Sequence, residues 1–195
     1  MRRLSSADGA ALVIALMATM LMIVLGTALT LTTMTETRIA SSYGAGIETF
    51  YAAEAAIERA AWDLRTMPDW NVLSLGAVMS TFVDGQPGGA RVLADGTTIN
   101  LTEATALVPG GERSPWRLFA YGPLAGLLPP GRVHSRAYVV VWVTGARFEG
   151  HSEAVALLAH AYGPQGVRRA IEVVVGRADP GSSRGIRVLS WREGP

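Results

Sequence analysis

Between Asp8 and Glu36 the chain carries no charged side chain, and residues 10–31 are almost wholly apolar or small. A helix rises 1.5 Å per residue, so about 20 residues cross a ~30 Å hydrocarbon layer. Lipid offers the backbone no hydrogen-bond partner, and a helix satisfies its own peptide groups there. Arg2 and Arg3 precede the run, and no basic residue follows until Arg38. Positive charge stays on the cytoplasmic side, which predicts a cytoplasmic N-terminus and an exported remainder.

Three fates fit such a run: a secretory signal that is removed, an anchor that stays, or a segment trimmed at its front edge and kept. Gly26-Thr27-Ala28 has the small residues of a signal cleavage site. The apolar run, however, exceeds the 7–15 residues usual for a signal core. Helical periodicity also continues beyond it. Ile47, Phe50, Glu54, Ile57, Ala61 and Leu64 recur at three- and four-residue steps through the alanine-rich stretch Ala52-Ala53-Glu54-Ala55-Ala56. Pro68 ends the pattern. Residues 10–66 therefore predict one helix of roughly 85 Å, apolar all round over 10–31 and amphipathic over 32–66. Gly44 and Gly46, or Gly26, are where a bend or local unwinding is expected, because each glycine costs roughly 1 kcal/mol against alanine.

Residues 67–195 predict an antiparallel β-rich domain. Asp84-Gly85 and Pro87-Gly88-Gly89 mark a turn-rich connector over 70–89. Asp95-Gly96 centres a hairpin in "ARVLADGTTINL". "WRLFAYG" reads as a strand, and "GPLAGLLPPG" as a loop whose prolines exclude a central strand. "YVVVWV", Tyr138 to Val143, is the strongest β signal. Ala154 to Tyr162 and Val167 to Val175 flank Gly163-Pro164-Gln165-Gly166 as a hairpin. In its second arm Val167, Ile171, Val173 and Val175 share a face opposite Arg168 and Glu172. Gly185 to Arg192 adds a last strand. The fold class is α+β: a long N-terminal helix whose amphipathic half packs on an antiparallel meander.

Little in the sequence points to chemistry. A net charge of +1, without a basic cluster, gives no case for nucleic acid. No cysteine is present, which excludes disulfides, thiolate metal sites and a thiol nucleophile. "GHSEA", Gly150 to Ala154, lacks the final glycine of a nucleophile elbow and is expected in a loop between strands, so Ser152 is not read as catalytic. His134, His151 and His160 lack ligand spacing and read as surface or edge histidines. Glu54 and Glu58 share a helix face, which is most simply a solvated one. Asp84, Asp95 and Asp179 each precede glycine or proline, and turn chemistry accounts for them. No metal, cofactor or enzymatic activity is expected.

The stretch "GAALVIALMATMLMIVLGTALTLTTMTETRIASS…FYAAEAAIERA" resembles the N-terminal region of PilX-type minor pilins of type IV pilus systems. It combines a short polar leader ending in glycine, an immediate apolar run, a threonine-rich segment with Glu36 and Arg38, and an aromatic-Ala-Ala-Glu-Ala block. "AHAYGPQGVRRAIEVVV", His160 to Val175, is similar to a hairpin common late in such proteins. The resemblance implies a leader of residues 1–9, cut by prepilin peptidase between Gly9 and Ala10, with methylation of Ala10. Ala10, Ala11, Leu12, Val13, Ile14 and Leu16 would then form the assembly helix, with Glu54 a contact to a neighbouring helix. Implied partners are other major and minor pilins, the peptidase, the pilus assembly platform and inner-membrane lipid. Major pilins carry glutamate at the fifth mature position, where this chain has Ile14. Its absence suits a tip or initiating subunit better than the repetitive shaft. A pseudopilin of a type II secretion system, and a membrane-tethered ligand-binding or adhesion domain, are the alternatives.

Overall fold

The computed structural model describes residues 6–74, 76, 78–110, 115–127, 135–177 and 185–194. Helix α1 is Ser6–Thr66. The chain divides into two compact units, Met1–Tyr43 and Gly44–Pro195.

The first unit is helix throughout its described length, and every residue from Gly9 to Tyr43 is exposed. It is long and apolar enough, by length and composition, to cross a membrane. Each threonine from Thr19 to Thr37 turns its hydroxyl back onto the helix. Thr19, Thr27, Thr30, Thr32, Thr33, Thr35 and Thr37 donate to the carbonyl four residues earlier at 2.8–3.0 Å. The unwinding expected at Gly26, Gly44 or Gly46 does not occur: the backbone stays helical through all three. A glycine lowers helix propensity by only about 1 kcal/mol, which good formers on either side outweigh.

In the second unit, α1 from Gly44 packs on one face of a five-stranded antiparallel sheet. The strands are β3 (Arg117–Pro123), β4 (Tyr138–Phe148), β5 (His151–Tyr162), β6 (Arg168–Arg177) and β7 (Ile186–Gly194), adjacent in chain order. This is the expected meander, with longer strands than the sequence pattern delimits. Alternation sorts the side chains. Val139, Val141 and Val143 of β4, Val155, Leu157 and Ala159 of β5, and Ile171, Val173 and Val175 of β6 face α1. As expected, Arg168 and Glu172 take the other face, while Val167 lies just before the strand and is half-exposed.

The helix face that meets the sheet differs from the one the periodicity suggests. Ala45, Thr49, Ala52, Ala53, Ala56, Ile57, Ala60 and Leu64 are buried; Ile47, Glu54 and Ala61 are not. Small side chains take the contact because they let helix and sheet backbones approach closely. Gly163, between β5 and β6, shows how tight the contact is: an added Cβ would stand 1.8 Å from Thr49 Oγ1. Polar ties fix the helix at both ends. Glu48 Oε1 accepts from Ser135 Oγ (2.7 Å) and from the Arg136 amide (3.2 Å). Asp63, itself buried, accepts from Ser80 Oγ and pairs with Arg59 at 3.3 Å.

The connector is more ordered than a chain of turns. Trp70 and Leu73 enter the α1 side of the core through a short helix, α2 (Asn71–Ser74). Residues 80–84 then line the outer edge of β3: the Ser80 amide donates to the Phe119 carbonyl, Tyr121 to Phe82, and Asp84 to Tyr121. The Asp95-Gly96 hairpin forms as expected from β1 (Ala90–Val92) and β2 (Thr98–Asn100), with Gly96 at φ +84°. It leads into a helix absent from the sequence reading, α3 (Leu101–Leu107). Hairpin and α3 cover part of the sheet face away from α1, burying Leu93 and Leu101 with Tyr121, Tyr138, Val140, Trp142 and Leu158. Trp142 Nε1 donates to Thr105 Oγ1 at 2.8 Å, so the buried indole is satisfied.

Candidate functional site

The residues proposed for processing and assembly lie together on the first turns of α1. Gly9, Ala10, Ala11, Leu12, Val13, Ile14 and Leu16 are all helical and exposed. Ile14, at the position that would carry the pilin glutamate, is 67% exposed. An exposed apolar helix surface has one physical use, contact with other apolar matter, be it lipid or a neighbouring helix. The segment has no charged side chain to offer a reaction.

Glu54, on the second half of α1, is half-exposed and makes no hydrogen bond or ion pair among the described residues. Glu58 is exposed beside it, so the pair forms a solvated face as expected. Sequence reasoning missed Glu48 and Asp63, the acidic residues that do bind inside the domain. Asp63 also pairs with Arg59 four residues earlier, but the hydrogen-bond partners Ser80, Ser135 and Arg136 lie 17 to 88 residues away, beyond the reach of any local pattern.

The weak catalytic motif does not assemble. Glu149 and Gly150 form a tight turn and His151 opens β5, so Ser152 lies within a strand, not in the expected loop; its side chain is outside the described residues. His134 is also outside them, as are Asp179 and residues 181–183. Nine residues apart on one strand, His151 and His160 share no site: His151 stands edge-on to Phe148, and His160 edge-on to Trp142 at 4.8 Å. No cluster of His, Asp or Glu among the described residues is arranged to hold a metal.

His160 corrects its expected surface or edge position. It lies in the central strand of the sheet and is only 8% exposed. Burial, reinforced by the neighbouring Arg168 cation, pulls its pKa from 6.5 to about 4 and keeps the imidazole neutral. Arg168 Nη2 lies 3.0 Å from Nδ1 and 3.3 Å from Nε2, and its guanidinium also sits 5.9 Å from the Tyr162 ring centroid. Desolvation likewise raises the pKa of Tyr162. His160 and Arg168 line a groove of about 750 Å³ on the sheet face away from α1. Its floor includes Ala156, Leu158, Ala170 and Glu172, and Trp116 and Phe148 also line it. The sequence signal for this groove was present but uninformative. Ala146, Ala156 and Ala170 stand on three different strands, so no linear pattern groups them with one surface.

No curated protein and no solved structure matches the chain. Residues 8–58 match the family described as PilX N-terminal. The match spans the polar front edge, the apolar run, the threonine-rich segment and the alanine-rich block, which are the features that carried the resemblance. That stretch is similar to the N-terminal segment of PilX-type, type IV pilus-related pilins, and it covers about a quarter of the chain.

Proposed function

We propose that this protein is a minor pilin that helps to start or cap a type IV pilus, with α1 as both membrane anchor and assembly rod. The observation that carries the reading is the uninterrupted exposure of an apolar helix from Gly9 to Tyr43 in a segment matching the PilX N-terminal family. Prepilin peptidase removes residues 1–9, and Ala10 becomes the methylated N-terminus. Cutting there leaves the apolar run whole, so the subunit stays in the inner membrane with its β-rich domain in the periplasm. In the filament, the same surface packs on the helices of other pilins. Burial of apolar area at about 25 cal/mol per Å² drives that transfer from any watery surroundings. Ile14 brings no carboxylate into the bundle, so no paired amine is required of a neighbour. That favours the end of a filament over its repeating shaft.

Intact-mass measurement of protein purified from membranes tests this reading. The expected mature chain starts at Ala10 and carries one methyl group. A chain beginning at Met1 indicates a plain anchor, and one beginning near Leu29 a secreted domain; either overturns the proposal. Gly9→Trp is expected to leave the full-length form in the membrane.

A further inference from the structure

The groove on the sheet face away from α1 has a charge pattern that points to a ligand. Of the cations around it, Arg192 is answered by Glu172 at 2.6 Å. Glu193, also at its rim, is engaged by Arg169 at 3.5 Å. Arg168 has no carboxylate partner among the described residues; its neighbours are the His160 imidazole and the Tyr162 ring. A guanidinium held against two rings keeps its full charge and gives up little side-chain freedom when it binds an anion. Its preferred counter-group is a carboxylate, met by two parallel N–H donors. Beside it along β5 run Leu158 and Ala156, an apolar strip flanked by Trp116, while Glu172, opposite Leu158, is held by Arg192. The volume of about 750 Å³ falls in the range of small-molecule clefts.

We propose that this groove binds a small monocarboxylate with an apolar body, the carboxylate on Arg168 and the body over Leu158 towards Ala156, against Trp116. A cationic ligand does not suit the site, because both rim carboxylates are already engaged. A small polyanion does not suit it either: Arg192 is held by Glu172, and Arg147 lies at the far end, its neighbour Ala146 opposite Ala154, six positions along β5 from His160. His160 acts as a positioning residue: neutral and fixed by the strand, it holds the guanidinium without competing for its charge. The site lies wholly in the unit from Gly44 onward, so its test is separate from that of pilus assembly.

Isothermal titration of the full-length chain in detergent with 3-phenylpropanoate, and with its uncharged amide as a matched probe, tests the proposal. Saturable one-to-one binding of the carboxylate is expected, with the amide weaker by roughly ten-fold, as a charge-assisted pair implies. Arg168→Gln is expected to remove that difference and Arg168→Lys to restore part of it. Val174→Phe, which fills the groove from β6, is expected to abolish binding of both probes while the thermal melt shows the fold intact. Equal affinity for acid and amide, unchanged binding in Arg168→Gln, or no saturable binding at all overturns the proposal.

Discussion

Two single residues make claims that can be measured. Gly163 is there because the Thr49 side chain occupies the space a Cβ would need. Thr49 cannot turn away easily, being buried and donating to the Ala45 carbonyl at 2.6 Å. Gly163→Ala is expected to destabilise the domain by about 1–3 kcal/mol, the usual cost of overpacking. Thr49→Ala should recover much of that loss in the double variant, and denaturant melts of the four proteins give the coupling directly. A simple additive result would show that the clash is not the cause. His160 makes a claim about pH. Its folded pKa of about 4 lies below the ordinary 6.5, so the unfolded chain binds the extra proton first. The stability it contributes is complete above pH 6.5 and is lost as pH falls through about 4, by ~3 kcal/mol at most. Arg168 and Tyr162 are the titratable groups facing it, and neither changes charge in that window. His160→Leu should therefore flatten the melting-temperature profile between pH 4 and 6.5, set against the common carboxylate slope. None of this was legible from sequence: a histidine among strand residues gives no hint of which strand becomes central, and a glycine in a Gly-Pro-Gln-Gly turn is already explained by the turn.

The elements divide sharply between those that sequence declares and those it hides. The long helix, the Asp95-Gly96 hairpin and the β4 to β6 strands announce themselves through length, turn chemistry or β-branched runs. Helix α3 does not, yet a signal existed. Asn100 caps it, accepting from the Thr102 and Glu103 amides, and its side-chain amide donates back to Glu103 Oε1 at 3.1 Å. An Asn followed three residues later by Glu is a helix-start signature, masked here because the hairpin pattern runs straight into it. Asn100→Ala is expected to cost about 1 kcal/mol and to show first as loss of α3 amide protection in hydrogen exchange. The buried face of α1 was misplaced for a different reason. Periodicity weights large apolar residues, whereas the true contact is an alanine ridge that lets backbones come close. Ala56→Leu should therefore cost about 1–3 kcal/mol by overpacking, while Ala61→Leu one turn on should change the melt little. Comparable losses at both positions would argue against the ridge.

At the scale of the molecule, all three hydrophobic clusters are built from residues after Gly44. A chain starting at Gly44 is expected to be soluble and to unfold in one cooperative transition, followed by circular dichroism on heating; a gradual, featureless melt would show that the earlier residues are needed for the core. The overall class was readable because a helix and a meander each leave a period in the sequence. The groove was not, because it is made by six separate stretches that only the fold brings together. One further consequence follows from the threonines of residues 19–37. Polar groups normally make a segment prefer one solvent over another, but these hydroxyls spend their hydrogen on the turn beneath them. A rod finished in this way has no outstanding polar debt to settle with whatever surrounds it. It can exchange acyl chains for the flanks of sister rods, or the reverse, with no polar bond broken on either side. Under the proposed function, insertion into lipid and withdrawal into a filament would then be decided by packing.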